Sequence, residues 1–321
     1  MLAVTAQSFD ADDPLGGLVV GSRPLTEVPD GWTTVTLKAA SLNHHDLWSL
    51  KGVGLRQEQL PMILGCDASG IDESGNEVVV HAVICSTGWT GDETLDPLRS
   101  LFSERYQGLL AEQIVVPKRN LVPKPAALSW EEACCLPTAW LTAYRMLFTN
   151  ARIRPGDRVL IQGAGGGVAT ALIVLARAAG AVVYVTSRDE GKRKRALELG
   201  AHVAVGSNER LADKMDYVME TVGAATWSHS VKSLRPGGAI VISGATSGPM
   251  PPAELTRIFF LQLRVLGSTM GTRDELDSLL RFCEASGVRP VIDSVRPLAE
   301  ARSAFEQLER GDVIGKLVLT N

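Results

Sequence analysis

Residues 157–188, DRVLIQGAGGGVATALIVLARAAGAVVYVTSR, constrain the fold more than any other stretch of the chain. An apolar run at 159–161 enters a cluster of glycines, about a dozen helix-forming residues follow, and the β-branched run Val182–Thr186 closes the stretch. A change of period from strand to helix and back describes one strand–helix–strand unit, and units of this kind build parallel sheets.

The glycine turn has a chemistry of its own. Where a tight turn leads into a helix, bare backbone N–H groups face outward at the positive end of the helix dipole, and a pyrophosphate fits there. Gly165, Gly166 and Gly167 let the backbone come close to such a group, with Ala164 before them and Val168 after. The stretch 164–169 matches the dinucleotide fingerprint G-x-G-x-x-G/A with alanine in the first place. The setting, a strand before and a helix and strand after, makes a nucleotide site the reading of choice over a glycine-rich helix start.

The end of the second strand selects the dinucleotide, because a carboxylate there binds a ribose 2′-hydroxyl and repels a 2′-phosphate. Here it reads Thr186, Ser187, Arg188, with Lys192 following in the next helix. Hydroxyl, guanidinium and ammonium groups suit a phosphate dianion, so NADP(H) is expected in preference to NAD(H). Asp189 and Glu190 come next, and a shift of one residue would put a carboxylate in the same place.

The rest of the composition narrows the field. A chain of 321 residues holds two domains, and 32 basic against 36 acidic side chains leave no broad basic surface for nucleic acid. No apolar segment is long enough for a bilayer span, which points to a soluble, cytoplasmic protein without a membrane partner. Five cysteines (66, 85, 134, 135 and 283) with no C-x-x-C spacing exclude a disulfide framework and a four-thiolate zinc lobe.

Residues 1–122 show short alternating runs at 33–38, 77–84 and 112–116, with one helix over 43–51, and read as a β-rich domain. Ser129 is a fitting N-cap for a helix reaching about residue 150. From 123 to 286, strands alternate with helices as in a doubly wound α/β domain, its strands ending with 239–243 and 264–266. Residues 287–321 give a strand, an amphipathic helix over 298–310, and a last strand that would rejoin the first domain. The β-rich domain is then 1–122 plus 287–321, with 123–286 inserted and a cleft between them. No role is evident for 99–107.

KAASLNHHDLW (38–48), LPMILGCDASG (60–70), CLPTAWLTAYRML (135–147), GAGGGVA (163–169), LRPGGAIVISG (234–244) and GKLVL (315–319) together resemble the medium-chain dehydrogenase/reductase superfamily. Within it they are most similar to the zinc-free branch of quinone-oxidoreductase-like proteins. The resemblance implies an α/β fold in which a GroES-like catalytic domain, built from both chain ends, surrounds a Rossmann domain. It also implies a homodimer or homotetramer formed through the last sheet strand, near 264–269.

The zinc-dependent members carry Cys, His and Cys ligands at positions that fall on Asn43, Cys66 and Thr138. One thiol, one amide and one hydroxyl make a poor zinc site, so no zinc is expected, a site using Cys66 with His44 or His45 being the alternative. Without a Lewis acid, the accessible chemistry is hydride transfer from the coenzyme to a quinone or α,β-unsaturated carbonyl. An alcohol or aldehyde dehydrogenase and a non-catalytic NADPH-binding sensor are the competing readings.

The catalytic candidates are Asn43, as a donor to the substrate oxygen or as a local turn residue, and His45, as the proton donor or as a capping histidine. The resemblance assigns His44 to the cofactor phosphates and Thr142 to the nicotinamide. It assigns Gly244, Ala245 and Ser268 to the nicotinamide ribose and carboxamide. Trp48 and Trp140 are candidates for the pocket wall, Trp140 equally for the core, and Cys134 and Cys135 read as packing residues.

Overall fold

A computed structural model describes residues 1–321, which divide into two compact units, Met1–Leu141 with Met270–Asn321, and Thr142–Thr269. The second unit is built on six parallel strands: β1 (Arg158–Gln162), β2 (Val182–Thr186), β3 (Val203–Val205), β4 (Met215–Glu220), β5 (Leu234–Ile242) and β6 (Arg264–Gly267). Their order across the sheet is β3-β2-β1-β4-β5-β6. That is the dinucleotide-binding order, and its topological switch point lies beside β1.

Helix α1 (Gly167–Ala178) follows the glycine turn and buries Ala169, Ala171, Leu172, Ile173, Leu175 and Ala176. Small residues near its start and branched ones further along let it lie close on the sheet. Because the strands are parallel, the segments after β1, β2, β5 and β6 all emerge at one edge of that sheet.

The first unit is β-rich. Its largest sheet runs Leu121–Pro123, Glu77–Val80, Asp67–Asp72, Trp32–Ser41, Lys316–Thr320 and Ile292–Pro297, and Gln113–Pro117 also pairs with Trp32–Ser41. The last strand runs antiparallel to Trp32–Ser41, with Val318 opposite Ser41. Both ends of the chain thus contribute to one core. Leu2–Ala6, Leu18–Ser22 and Met62–Ile63 form a further sheet that the sequence reading did not include.

The structural boundary differs from the expected 123–286. Helix Trp130–Cys134 belongs to the β-rich unit, where Ser69 Oγ donates to Trp130 O (2.8 Å) and Cys134 and Cys135 pack with Ala39 and Val318. Helix Arg273–Ser286 also goes with that unit: His81 Nε2 donates to Gly271 O (2.9 Å), and an Arg273 Nη donates to Leu121 O (2.9 Å). The helical stretch begins at its Ser129 cap as expected, but from Leu136 it passes into π-type turns, beside Pro137, which has no N–H to continue the α ladder.

Candidate functional site

In the nucleotide unit the site is made of main chain. Gly163 ends β1 at φ 88°, a left-handed conformation natural to glycine. Gly166 caps α1 from extended backbone, with no side chain covering the first N–H groups. A Cβ added at Gly166 would meet no atom within 4 Å, so the approach to the helix mouth is open. Ala164 and Gly165 are buried beneath it and Val168 is half-buried. This arrangement fits a pyrophosphate, which such backbone donors bind without side-chain help.

At the end of β2, Thr186 and Ser187 are buried and Arg188 is exposed. Ser187 Oγ accepts from Asp189 N (3.2 Å), which leaves its own proton to donate. The Asp189 carboxylate is turned back to cap helix Glu190–Glu198, accepting from Lys192 N at 2.7 Å. An Arg193 Nη is tied to Ser187 O (2.8 Å).

Gly244 follows β5 where a Cβ would lie 3.0 Å from Thr221 O, so a larger residue would collide with backbone there; Ala245 is next to it. Ser268 follows β6 and accepts from Asn150 Nδ2 at 2.9 Å. The expected positions 164–168, 187–188, 244–245 and 268 therefore share the carboxyl edge of the sheet. Thr142, at the first residue of this unit, is buried, and Lys192 is half-buried on its helix.

The β-rich unit holds a second polar centre, made of side chains. Helix His44–Leu50 starts at Asn43, whose N–H donates to Asp46 Oδ2 (2.8 Å), while Asp46 Oδ1 accepts from Gly65 N (3.1 Å). Burial raises Asp46 to about 6. The Asn43 side chain is fully engaged: Nδ2 donates to Asp67 Oδ2 (2.8 Å) and Oδ1 accepts from Lys316 Nζ (2.6 Å).

Lys316 is 2 % exposed and Asp67 0 %. Their contact is 3.1 Å, and Lys316 also donates to Leu42 O (2.6 Å), while Ser41 Oγ donates to Asp67 Oδ2 (2.8 Å). Sequence reasoning missed this ion pair. A lysine opening the apolar strand of GKLVL was the available signal, since a charge at a core position needs a buried partner.

His44 is exposed, whereas both ring nitrogens of His45 have neighbours. Nε2 lies 3.2 Å from Glu104 Oε1, and Nδ1 lies 3.5 Å from both Cys66 Sγ and Ser103 Oγ. Burial opposes a charge on His45, but the Cys66 sulfur, the Glu104 carboxylate and Asp46 outweigh it and hold its pKa well above 6.5. Burial pushes the Cys66 thiol up, and that thiol donates to Phe102 O (3.2 Å). Trp48 is exposed, while Trp140 is fully buried and belongs to the core rather than to a pocket wall.

Comparison with known proteins matches residues 29–126 to the alcohol dehydrogenase GroES-like domain and residues 167–285 to the zinc-binding dehydrogenase family. A zinc-type alcohol dehydrogenase-like protein of Schizosaccharomyces pombe is 32 % identical, over 91 % of this chain and 93 % of that one. The quinone oxidoreductase of Mus musculus is 30 % identical, over 89 % and 88 %.

The chain belongs to the medium-chain dehydrogenase/reductase superfamily. It is an NAD(P)H-dependent oxidoreductase with a GroES-like domain and a parallel-sheet Rossmann-like domain. Among solved structures of this superfamily, an NAD-dependent alcohol dehydrogenase superposes with a TM-score of 0.92 at 35 % identity, each chain covered completely. A 2-octenoyl-CoA carboxylase reductase in complex with NADP and 2-octenoyl-CoA gives 0.90 at 25 %, over 99 % of this chain and 87 % of that one.

The zinc that some members of the superfamily bind does not fit the three positions expected for it. Asn43 Oδ1 already faces the Lys316 ammonium, which would repel a dication, and Thr138 offers only a buried hydroxyl. A different set of donors does come together: His45, Asp46 and Cys66 each bring one ligand atom within 4.8 Å of the others. Every member of that set already has protein partners, which a cation would have to displace. No helix is long and apolar enough to cross a membrane.

Proposed function

We propose that this protein is an NADPH-dependent reductase of quinones or α,β-unsaturated carbonyls that works without zinc. The observation that carries the reading is the end of β2, where Asp189 is spent as a helix cap and Ser187 and Arg188, with Lys192 in the next helix, offer donor groups suited to a 2′-phosphate. The amides of Ala164, Gly165, Gly166, Gly167 and Val168 bind the pyrophosphate. Thr142, Gly244, Ala245 and Ser268 hold the nicotinamide end, and His44 meets the phosphates. The NADP and enoyl thioester named for the 2-octenoyl-CoA relative support both halves of the reading.

When bound, the coenzyme supplies the hydride. An electron-poor alkene or quinone that has accepted a hydride carries negative charge and needs a proton, which a positioned acid supplies. His45 is that acid. Lys316 neutralises Asp67, and Asn43, hydrogen-bonded to both, fixes the start of the helix that carries His45. Two titrations followed by fluorescence, NADPH against NADH, test the cofactor, and NADH binding as tightly as NADPH would defeat the assignment. Replacing His45 with Ala lowers the rate with a reducible enone at least about tenfold; an unchanged rate removes His45 from the mechanism.

Alcohol oxidation is the second reading, favoured by the likeness to an NAD-dependent alcohol dehydrogenase. It requires reduction of NADP+ or NAD+ by an alcohol, accompanied by stoichiometric metal. A sensor would quench NADPH fluorescence yet consume none with any quinone, enone or aldehyde. We place the enzyme in the cytoplasm as a homodimer or homotetramer joined along β6. That strand is the sheet edge, and Phe259 and Phe260 beside it are 67 % and 77 % exposed. Light scattering that returns a monomer excludes the assembly.

A further inference from the structure

Segment 99–107 closes on one imidazole from both sides. Ser103 has φ 61°, a left-handed backbone that is costly for a residue with a Cβ, and it is fully buried. Its Oγ lies 3.5 Å from His45 Nδ1 and 3.7 Å from Cys66 Sγ. The next residue, Glu104, sets Oε1 3.2 Å from His45 Nε2. Glu104 is itself anchored: Oε2 accepts from Leu101 N (3.0 Å) and Ser100 Oγ (3.4 Å), and its carbonyl accepts from Gln59 Nε2 (2.8 Å).

The Glu104 side chain is 29 % exposed, whereas Ser103 is 0 % exposed. The groups therefore form a line from water, through a carboxylate and an imidazole, to a buried hydroxyl. A histidine that only fills space or caps a helix needs one partner and no strained residue aimed at its second nitrogen. The 3.5 Å contacts at Nδ1 are at the outer edge of hydrogen bonding, as is common before substrate binds.

We propose that Glu104 and Ser103 make His45 the head of a proton relay, with Glu104 as the positioning and reloading carboxylate and the buried Ser103 Oγ fixing Nδ1. The proposal rests on the reading that His45 supplies the proton. In the step, the reduced acceptor takes the Nδ1 proton of His45 and leaves a neutral imidazole that keeps its Nε2 proton against Glu104. A change of ring tautomer returns that proton to Nδ1, and Nε2 is then reprotonated from water by way of Glu104. Each cycle consumes one hydride from the coenzyme and one proton from solvent, and every protein group ends as it began.

The test compares wild type with Glu104→Gln and Glu104→Asp, using a reducible enone and NADPH. In the relay, Glu104→Gln lowers kcat at least about tenfold, leaves the enone KM and the NADPH Kd within about twofold, and enlarges the solvent isotope effect. Glu104→Asp recovers part of the loss. In coenzyme-free protein at neutral pH, 15N spectra show both His45 ring nitrogens protonated in wild type and one deprotonated in Glu104→Gln. Wild-type kcat in Glu104→Gln, or KM and Kd rising together with the loss of kcat, overturns the relay. If Glu104→Gln does not fold, Ser103→Ala, which deletes one hydroxyl, is read by the same kcat and isotope criteria. A His45→Ala variant as fast as wild type removes the acid and the relay together. A wild type that reduces no acceptor in the panel instead sinks the reductase reading, and the relay falls with it.

Discussion

The two polar centres are constructed from opposite materials. The nucleotide unit presents main-chain N–H groups at a helix start, within a run of a few consecutive residues, and its nearby side chains mostly cap or brace. The β-rich unit collects side chains from 43–46, 66–67, 103–104 and 316, several of them ionisable and buried. A main-chain site is robust to charge and sensitive to added bulk; a side-chain site is the reverse. Electrostatic and steric substitutions should therefore separate the two.

The largest effect falls on the side-chain centre. Replacing Lys316 with Met leaves the Asp67 carboxylate buried without its counter-charge, and denaturant unfolding should show a loss of about 3–5 kcal/mol. Pairing it with Asp67→Leu removes the stranded charge and returns part of that loss. Acid comes next. Burial lowers His81 to about 4, below its unfolded value of 6.5, so its neutral form stabilises the fold above 6.5. That contribution, about 3 kcal/mol, is lost as pH falls from about 6.5 through about 4. A His81→Gln variant should show a flatter decline over that window, and an identical decline would contradict the assignment.

Bulk at the helix mouth tests the other centre. Gly166→Val adds a Cβ that meets no atom within 4 Å in the folded chain, so the melting temperature should change little. It blocks the pyrophosphate and should raise the NADPH Kd at least about tenfold, about 1.4 kcal/mol. The smallest effect is expected for Arg188→Ala, which should cost about 1 kcal/mol of preference for NADPH over NADH because one exposed charged contact is lost. Metal analysis of protein purified without chelator should find far less than stoichiometric zinc. Zinc bound by the His45, Asp46 and Cys66 set would instead make the second centre a metal site.

The same contrast explains what the sequence could tell. The glycine turn, the strand end at 186–188 and the alternation of strands and helices are local patterns, and they led directly to the six-stranded unit. The contacts of Glu104 and Lys316 join residues 59 and 249 apart in the chain, which no local pattern encodes. Leu2–Ala6 and Leu18–Ser22 escaped notice because each is short and is completed only by partners elsewhere. Boundaries failed where helices changed allegiance: Trp130–Cys134 looks like the start of the inserted unit, yet the bonds of Ser41 and Ser69 to its carbonyls tie it to the β sheet.

Lys316 stands on the final strand, between Trp32–Ser41 and Ile292–Pro297. On a ribosome, everything needed for the inserted six-stranded unit is synthesised well before that lysine exists. During this interval Asp67 must wait, hydrated and unpaired, for a charge encoded 249 residues downstream. The β-rich half therefore cannot be completed until that lysine has been made.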